Sequence, residues 1–426
     1  MADAAAPPHR SHRAMLFGVA LGAVLGLLAE LAASNGVIDK SIVTAINDNV
    51  ALPAGQIFLR LLFMLAVPLI FAALVSGVSE LDPAELRRMG GRTLLYTAVL
   101  SALAVGLGLV MVNVIAPGRW DPDAIVALAK TLEVPSIKAA ERLGTASIVT
   151  MIPTNPVAAA ANGDTLGLII FALVLGIGLA VVRTEAAQRL RETISGLNEV
   201  AMWLIQQVMR LAPIGVAALL FASFSTLGLG LVGQLAIYVG TVVGALAVHT
   251  FIIYPLFLRI FARMGVLHFF ARTRLALTTA FATASSAATL PTTLQVAERE
   301  LHIPRGIARF VLTAGASMNQ NGSALFEGIT VLFLAQLFGV DLSISQQLVV
   351  MLICILGGIG TAGIPGATLP VIAMMLDMYG VPAYGLALIL GVDRVLDMCR
   401  TTVNVAGDLV VAACVAGPAA TSTDTR

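Results

Sequence analysis

The sequence predicts an all-α membrane protein of eight transmembrane helices plus two re-entrant helical hairpins. Three observations predict it. Hydrophobic residues make up 58% of the 426 residues and charged residues only 12%, with a mean hydropathy of +0.94; soluble domains have about 45–50% apolar and about 25% charged residues. So few charges cannot cover a water-facing surface, and most apolar side chains must face lipid or one another. Apolar runs recur at 14–34, 54–80, 93–116, 164–183, 196–226, 231–263, 304–338 and 384–418, each matching the ~20 residues or more that cross a ~30 Å hydrocarbon core. Two further apolar stretches, 272–297 and 345–383, are broken by small residues and proline.

In chain order, residues 1–13 form a polar arm with Arg10 and Arg13 just before the first apolar run. That run is about 20 residues long, which favours an uncleaved first helix over a signal peptide. Arg87, Arg88 and Arg92 follow the second run, Arg183, Arg189 and Arg191 the fourth, and Arg259, Arg263, Arg272 and Arg274 the sixth. The link at 227–231 has no charge and 342–376 has no Lys or Arg. By the positive-inside rule both termini are cytoplasmic, and the long polar insert from Pro117 to about Asn162 is external. Residues 417–426 read as a disordered tail. Cys354, Cys399 and Cys414 lie in apolar stretches, which speaks against a disulfide framework. Lys+Arg 25 against Asp+Glu 24 excludes a nucleic-acid footprint.

The two broken stretches share Ala-Thr-Leu-Pro, at 288–291 and 367–370, beside Ser285-Ser286 and Gly360-Thr361-Ala362-Gly363 respectively. Backbone groups freed by such breaks must line a cavity or be buried in protein, and matched breaks in two halves mark a transporter's binding site. The run 304–338 is itself interrupted at Asn319-Gln320-Asn321-Gly322-Ser323. Five polar or glycine residues at mid-span fit a water-filled or ion-binding interior. Beyond them Ser323 and Glu327 share a helical face.

The strongest signal is in the last run, where Asp393, Asp397, Arg400, Asn404 and Asp408 follow steps of four, three, four and four and form one stripe. A central charge costs about 2.5–3.5 kcal/mol to insert, so Asp397 and Arg400 together cost on the order of 5–7 kcal/mol. A structural ion pair is the plain alternative. Guanidinium, however, suits bidentate carboxylate recognition, and an acid one turn away can hold an ammonium. The pair fits a ligand with a carboxylate at one end and an amine nearby. A membrane-embedded enzyme is poorly served: His9, His12, His249, His268 and His302 show no metal-ligand spacing and no Ser–His or Ser–Lys pair stands out. A channel fits less well than a carrier, because the stripe matches a zwitterion that is bound.

These blocks resemble the dicarboxylate/amino acid:cation symporter family. The resemblance runs from Leu59-Arg60-Leu61-Leu62-Phe63-Met64-Leu65-Ala66-Val67-Pro68, through Ile152-Pro153-Thr154-Asn155-Pro156, to both hairpins and the Asp397/Arg400/Asn404/Asp408 helix. It implies a homotrimer in which a static scaffold supports a mobile transport domain that moves as an elevator. By that pattern residues 14–92 hold scaffold helices one and two, 93–116 helix three of the transport domain, 117–230 the external loop and scaffold helices four and five, and 231–418 the rest of the transport domain, with 419–426 a tail. Arg400 would bind the substrate side-chain carboxylate and Asp397 its amino group. Thr401 and Asn404 would assist, with Ala284, Ser285, Ser286, Ser323, Ile364 and Thr368 around the ligand. Retaining both Asp397 and Arg400 points to L-aspartate or L-glutamate rather than a C4-dicarboxylate. The absence of organelle-targeting signals, with an N-terminal cytoplasmic arm, suits a bacterial inner membrane by default.

The departures concern the cation. The family's Asn-Met-Asp-Gly-Thr is here Asn319-Gln320-Asn321-Gly322-Ser323, so Asn321 replaces an anionic sodium ligand. Thr97 and Leu100 replace a tyrosine and a threonine of the same site, while Ser101 remains. A second sodium site is complete in Gly315, Asn319, Asn404 and Asp408, and a third keeps Ser317 and Thr361. Glu327 stands where mammalian members carry a co-transported proton, and desolvation favours the neutral form of a carboxyl. The expectation is therefore a symporter with no cofactor, coupled to H⁺, or to fewer Na⁺ than its sodium-driven relatives.

Overall fold

The computed structural model describes residues 8–79, 89–119, 152–161, 165–228, 230–360, 368–382 and 385–418. Among them every regular element is helical. The first run becomes α1 (Pro8–Ser34), and a short α2 (Lys40–Ile46) follows. Asp39 caps α2 by accepting the Ser41 N–H at 2.9 Å, which holds its exposed carboxyl below the ordinary aspartate range.

The expected span 54–80 is two helices, α3 (Leu52–Met64) and α4 (Ala66–Ser79), parted at Leu65. Pro68 is the reason: without an N–H it cannot bond the Met64 carbonyl one turn back, and α3 ends there. α5 (Gly91–Ile115) closes on Ala116 in the left-handed region at φ 48°. Beyond the insert lie α6 (Pro156–Ala161) and α7 (Thr165–Val181).

α8 (Glu185–Leu227) has 43 residues, about 65 Å at 1.5 Å per residue, roughly twice a bilayer core. It starts three turns before the expected 196, where Thr184 Oγ1 accepts the Ala187 N–H at 3.2 Å. Those turns carry the exposed Arg189–Glu185 pair at 3.4 Å, and a search for apolar runs passes over them.

α9 (Gly230–Val248) continues through a π turn (His249–Ile253), α10 (Tyr254–Phe257) and a second π turn (Leu258–Ala262). The wider first turn takes up the N–H missing at Pro255, and the rod ends at Arg263 with φ 52°. The remaining helices are α11 (Val266–Thr283), α12 (Ser286–Arg299), α13 (Arg305–Met318), α14 (Asn321–Leu337), α15 (Ile344–Gly360), α16 (Leu369–Met378) and α17 (Leu386–Ala416). The broken stretch 272–297 is thus α11 and α12, packed together across Ala284; 345–383 is α15 and α16.

Five helical stretches among the described residues are long and apolar enough to cross a membrane: Phe17–Ser34, Gly91–Ile115, Glu185–Thr226, Val232–Ala262 and Leu388–Ala416. Packing sorts the helices. α1 lies along α8 with Gly18, Gly22 and Gly26 against the backbone of Pro213, Ala217 and Phe221, leaving no room for a Cβ. α3, α4 and α7 complete that group. In the other, α14 is buried almost all round and packs against α5, α15, α16 and α17, while α17 also meets α9, α11, α12 and α13. Of the α17 stretch 83% is buried, against 17% of the α1 stretch. The charges of α17 therefore face protein rather than lipid.

Candidate substrate and cation site

The charged stripe forms on α17 because positions three, four and seven apart share one face. Arg400 is 1% exposed. Its Nη1 donates to Asp393 Oδ1 at 2.9 Å and its Nε to Asp397 Oδ1 at 3.0 Å. Arg394 Nη1 reaches Asp397 Oδ2 at 3.5 Å, and the Arg400 guanidinium sits 4.2 Å over the Phe326 ring of α14. Two carboxylates and two guanidinium groups balance in this cluster. A net-negative ligand added here must bring positive charge with it, because an unpaired buried charge costs several kcal/mol.

The chain break faces this stripe. It is narrower than the five residues expected: Asn319 and Gln320 are non-helical, and α14 begins at Asn321. A helix start leaves N–H groups without partners, and Asn404 supplies one from across the interface. Its Oδ1 accepts the N–H of Gly322 at 2.7 Å and of Ser323 at 3.3 Å. Its Nδ2 donates to Gln320 Oε1 at 2.6 Å and Ser323 Oγ at 3.0 Å. The side chain is therefore engaged on both ends, and Asn404 acts by positioning Ser323 and the start of α14.

One turn on, Asp408 Oδ1 accepts from Asn319 Nδ2 at 2.9 Å, and Gly315 abuts the same carboxylate. Asn319 Oδ1 is buried without a hydrogen-bond partner among the described residues. A carboxylate beside an unused amide oxygen suits a hard cation. The neighbouring Asn321 does not: its Oδ1 accepts from Ser101 Oγ at 2.6 Å and its Nδ2 donates to Tyr254 Oη at 3.3 Å. Thr97 and Leu100 are buried beside Ser101 on α5.

Ala284 turns the chain at φ 49°, and Ser285 caps α12 by accepting the Ala288 N–H at 3.2 Å. Ser286 Oγ and Thr368 Oγ1 are buried without hydrogen-bond partners among the described residues. Thr401 is buried beside Arg400. Ile364 and Thr361 lie outside the described residues, as does the side chain of Ser317 on α13.

Glu327 is fully buried on α14, and neither oxygen has a hydrogen-bond partner among the described residues. Around it stand Gly357 and the Cys354 thiol of α15, the latter 3.9 Å from Met375 Sδ of α16. Arg394 on α17 pairs with Asp397. A buried carboxylate so placed costs far more than the neutral acid.

Sequence reasoning placed Asp393 on the stripe but gave it no site role, although its spacing of seven from Arg400 carried the signal. Gln320, Phe326 and Tyr254 were missed as partners. Nothing local marks Tyr254, which reaches the site only through tertiary packing.

The profile of the sodium:dicarboxylate symporter family matches residues 12–417. The proton/glutamate-aspartate symporter of Escherichia coli (strain K12) is 34% identical over 370 residues, covering 84% of this chain and 83% of that one. The proton/sodium-glutamate symport protein of Bacillus caldotenax is 32% identical over 368 residues, covering 84% and 86%. Excitatory amino acid transporter 1 of Ambystoma tigrinum is 31% identical over 405 residues, covering 83% and 74%. With apolar helices, a buried charge stripe and a match along nearly its whole length, the chain is an integral membrane transporter, not an enzyme, and belongs to the sodium:dicarboxylate symporter family.

Proposed function

We propose that the chain is a secondary active symporter of L-glutamate and L-aspartate. The observation that carries the reading is the buried Arg400, held between Asp393 and Asp397. The substrate side-chain carboxylate displaces one of these acids from the guanidinium, and the freed Asp397 takes the substrate ammonium. Thr401, Ser323, Ser286, Thr368 and the turn at Ala284–Ser285 complete the chamber, with Ile364 from the adjoining segment. The relatives named as glutamate and aspartate symporters support that substrate class.

The coupling ion follows from charge. Asp393, Asp397, Glu327 and Asp408 are buried acids, against the two arginines Arg394 and Arg400. An acidic amino acid adds another negative charge, so it travels with cations. Glu327 takes a proton as its neutral acid. Asp408, Asn319 and Gly315, together with Asn404, form the seat that favours Na⁺, and a sodium-coupled version with reduced stoichiometry rests on it. Ser317 and Thr361 belong to a further cation position.

The two helix groups support a scaffold of residues 14–92 and 117–230 and a transport domain of 93–116 and 231–418. In this reading eight helices span the membrane, α11–α12 and α15–α16 are re-entrant hairpins, and the transport domain moves as an elevator within a homotrimer. The protein then sits in a bacterial inner membrane with both termini in the cytoplasm. Uptake of labelled L-glutamate and L-aspartate into proteoliposomes, with pH and Na⁺ gradients imposed separately, tests the reading. Uptake under an inward-acid gradient without Na⁺ supports it. Transport of neither amino acid under any gradient refutes it.

A further inference from the structure

Three ion pairs tie the charge cluster of α17 together, and they are unequal. Arg400 lies 2.9 Å from Asp393 and 3.0 Å from Asp397, whereas Arg394 lies 3.5 Å from Asp397. The side chain of Arg400 is 1% exposed and that of Asp397 7%, against 21% for Arg394. The two oxygens of Asp397 are divided between these partners: Oδ1 accepts from Arg400 Nε and Oδ2 from Arg394 Nη1. One acid thus holds two cations of different kinds, one deep in the protein and one at the edge of the cluster.

Parting Arg400 from an acid without a replacement strands a charge in the interior, which is strongly unfavourable. Arg394 is under no such constraint. A long, partly exposed side chain can carry its guanidinium towards water, and a partly exposed pair is a weak one. Arg394 is therefore the partner that Asp397 can exchange. A substrate ammonium needs the same carboxylate, and trading one cation for another leaves the charge balance at Asp397 unchanged.

We propose that Arg394 is the exchangeable counter-ion of Asp397, standing in for the substrate ammonium and so setting how sharply the site favours amino acids over amine-free dicarboxylates. The inference rests on the substrate reading above and deepens it. When the substrate carboxylate draws Arg400 away from Asp397, an amino acid supplies its own cation to that acid and Arg394 withdraws. An amine-free dicarboxylate brings no cation, and Arg394 alone neutralises Asp397. With Arg394 in place such a ligand is still bound. Without Arg394 it meets an unpaired buried acid.

The test titrates purified full-length protein calorimetrically with L-glutamate and with glutarate, the same diacid without the amino group, at one pH and one Na⁺ concentration. Arg394→Gln is expected to raise the ratio of the glutarate Kd to the L-glutamate Kd by at least about tenfold, a size between that of an exposed and a buried pair. Arg394→Lys keeps the charge and is expected to restore the wild-type ratio. In an Asp397→Asn background there is no acid left to neutralise. Adding Arg394→Gln there is expected to leave the glutarate Kd where Asp397→Asn alone puts it.

Equal weakening of both ligands by Arg394→Gln marks a structural role and overturns the proposal. A loss of glutarate affinity that persists in the Asp397→Asn background overturns it too, since that is the pull of a distant charge and not a pairing. The same comparison decides should Arg394→Gln alone fail to fold, because the double variant leaves no unpaired Asp397 behind. Wild type that binds L-glutamate but not glutarate overturns the inference and leaves the substrate reading standing. Wild type that binds neither refutes that reading, and the inference with it.

Discussion

Arg400 can hold Asp393 and Asp397 at once because its guanidinium presents a planar fork of donors. Lysine offers a point charge and cannot span both acids. Arg400→Lys is expected to weaken L-glutamate binding by at least about tenfold, or about 1.4 kcal/mol, with little loss for a neutral analogue; calorimetric titration of both ligands checks it. Asn404 makes a different kind of contribution. Asn404→Ala strips the acceptor from the Gly322 and Ser323 N–H groups, and leaving such buried donors unpaired costs about 1–3 kcal/mol. The expected result is a lowered Tm in detergent, even without substrate. The spacing of acids and arginine along α17 was legible in the sequence because a helix converts steps of three and four into one face. The saturation of Asn404, and the arrival of Tyr254 from another helix, were not legible. Both depend on which helix faces which, and periodicity does not encode that.

Helix boundaries show where an element's own sequence governs it and where neighbours do. The run 93–116 became α5 nearly unchanged, since a long apolar segment without proline has no competing structure. Pro68 split the second run at Leu65, a consequence readable from its missing N–H. The charged start of α8 escaped the hydropathy argument, because solvent-facing turns carry no apolar signal. The contact of α1 with α8 rests on Gly22 lying against Ala217. Gly22→Leu forces the two helices apart, and overpacking of this kind costs about 1–3 kcal/mol. Fluorescence-detected size exclusion after heating should show that variant aggregating at a lower temperature than wild type. Gly178, with nothing near its Cβ position, serves as the control: Gly178→Ala should leave the profile unchanged.

Across the whole molecule, the few charges are spent unevenly. Most of the described arginines lie near helix ends or links, while α17 and α14 bury Asp393, Asp397, Arg400, Asp408 and Glu327 together. In the proposed cycle such a core binds an anion only with cations alongside. The match of the family profile to residues 12–417 covers this arrangement; what makes the proposed account specific for protons is the buried Glu327 carboxyl, whose nearest polar neighbour among the described residues is the Cys354 thiol. The sign is fixed. In the proposed cycle a lower pH outside loads Glu327 from that face, so accumulation is expected to rise as external pH falls below internal pH. Glu327→Gln imitates the protonated acid permanently. The most direct measurement is therefore L-glutamate uptake into Na⁺-free proteoliposomes under an inward-acid gradient, comparing wild type with Glu327→Gln and following counterflow in both. The account predicts accumulation in wild type only, with counterflow preserved in the variant. Gradient-driven accumulation by Glu327→Gln would contradict it.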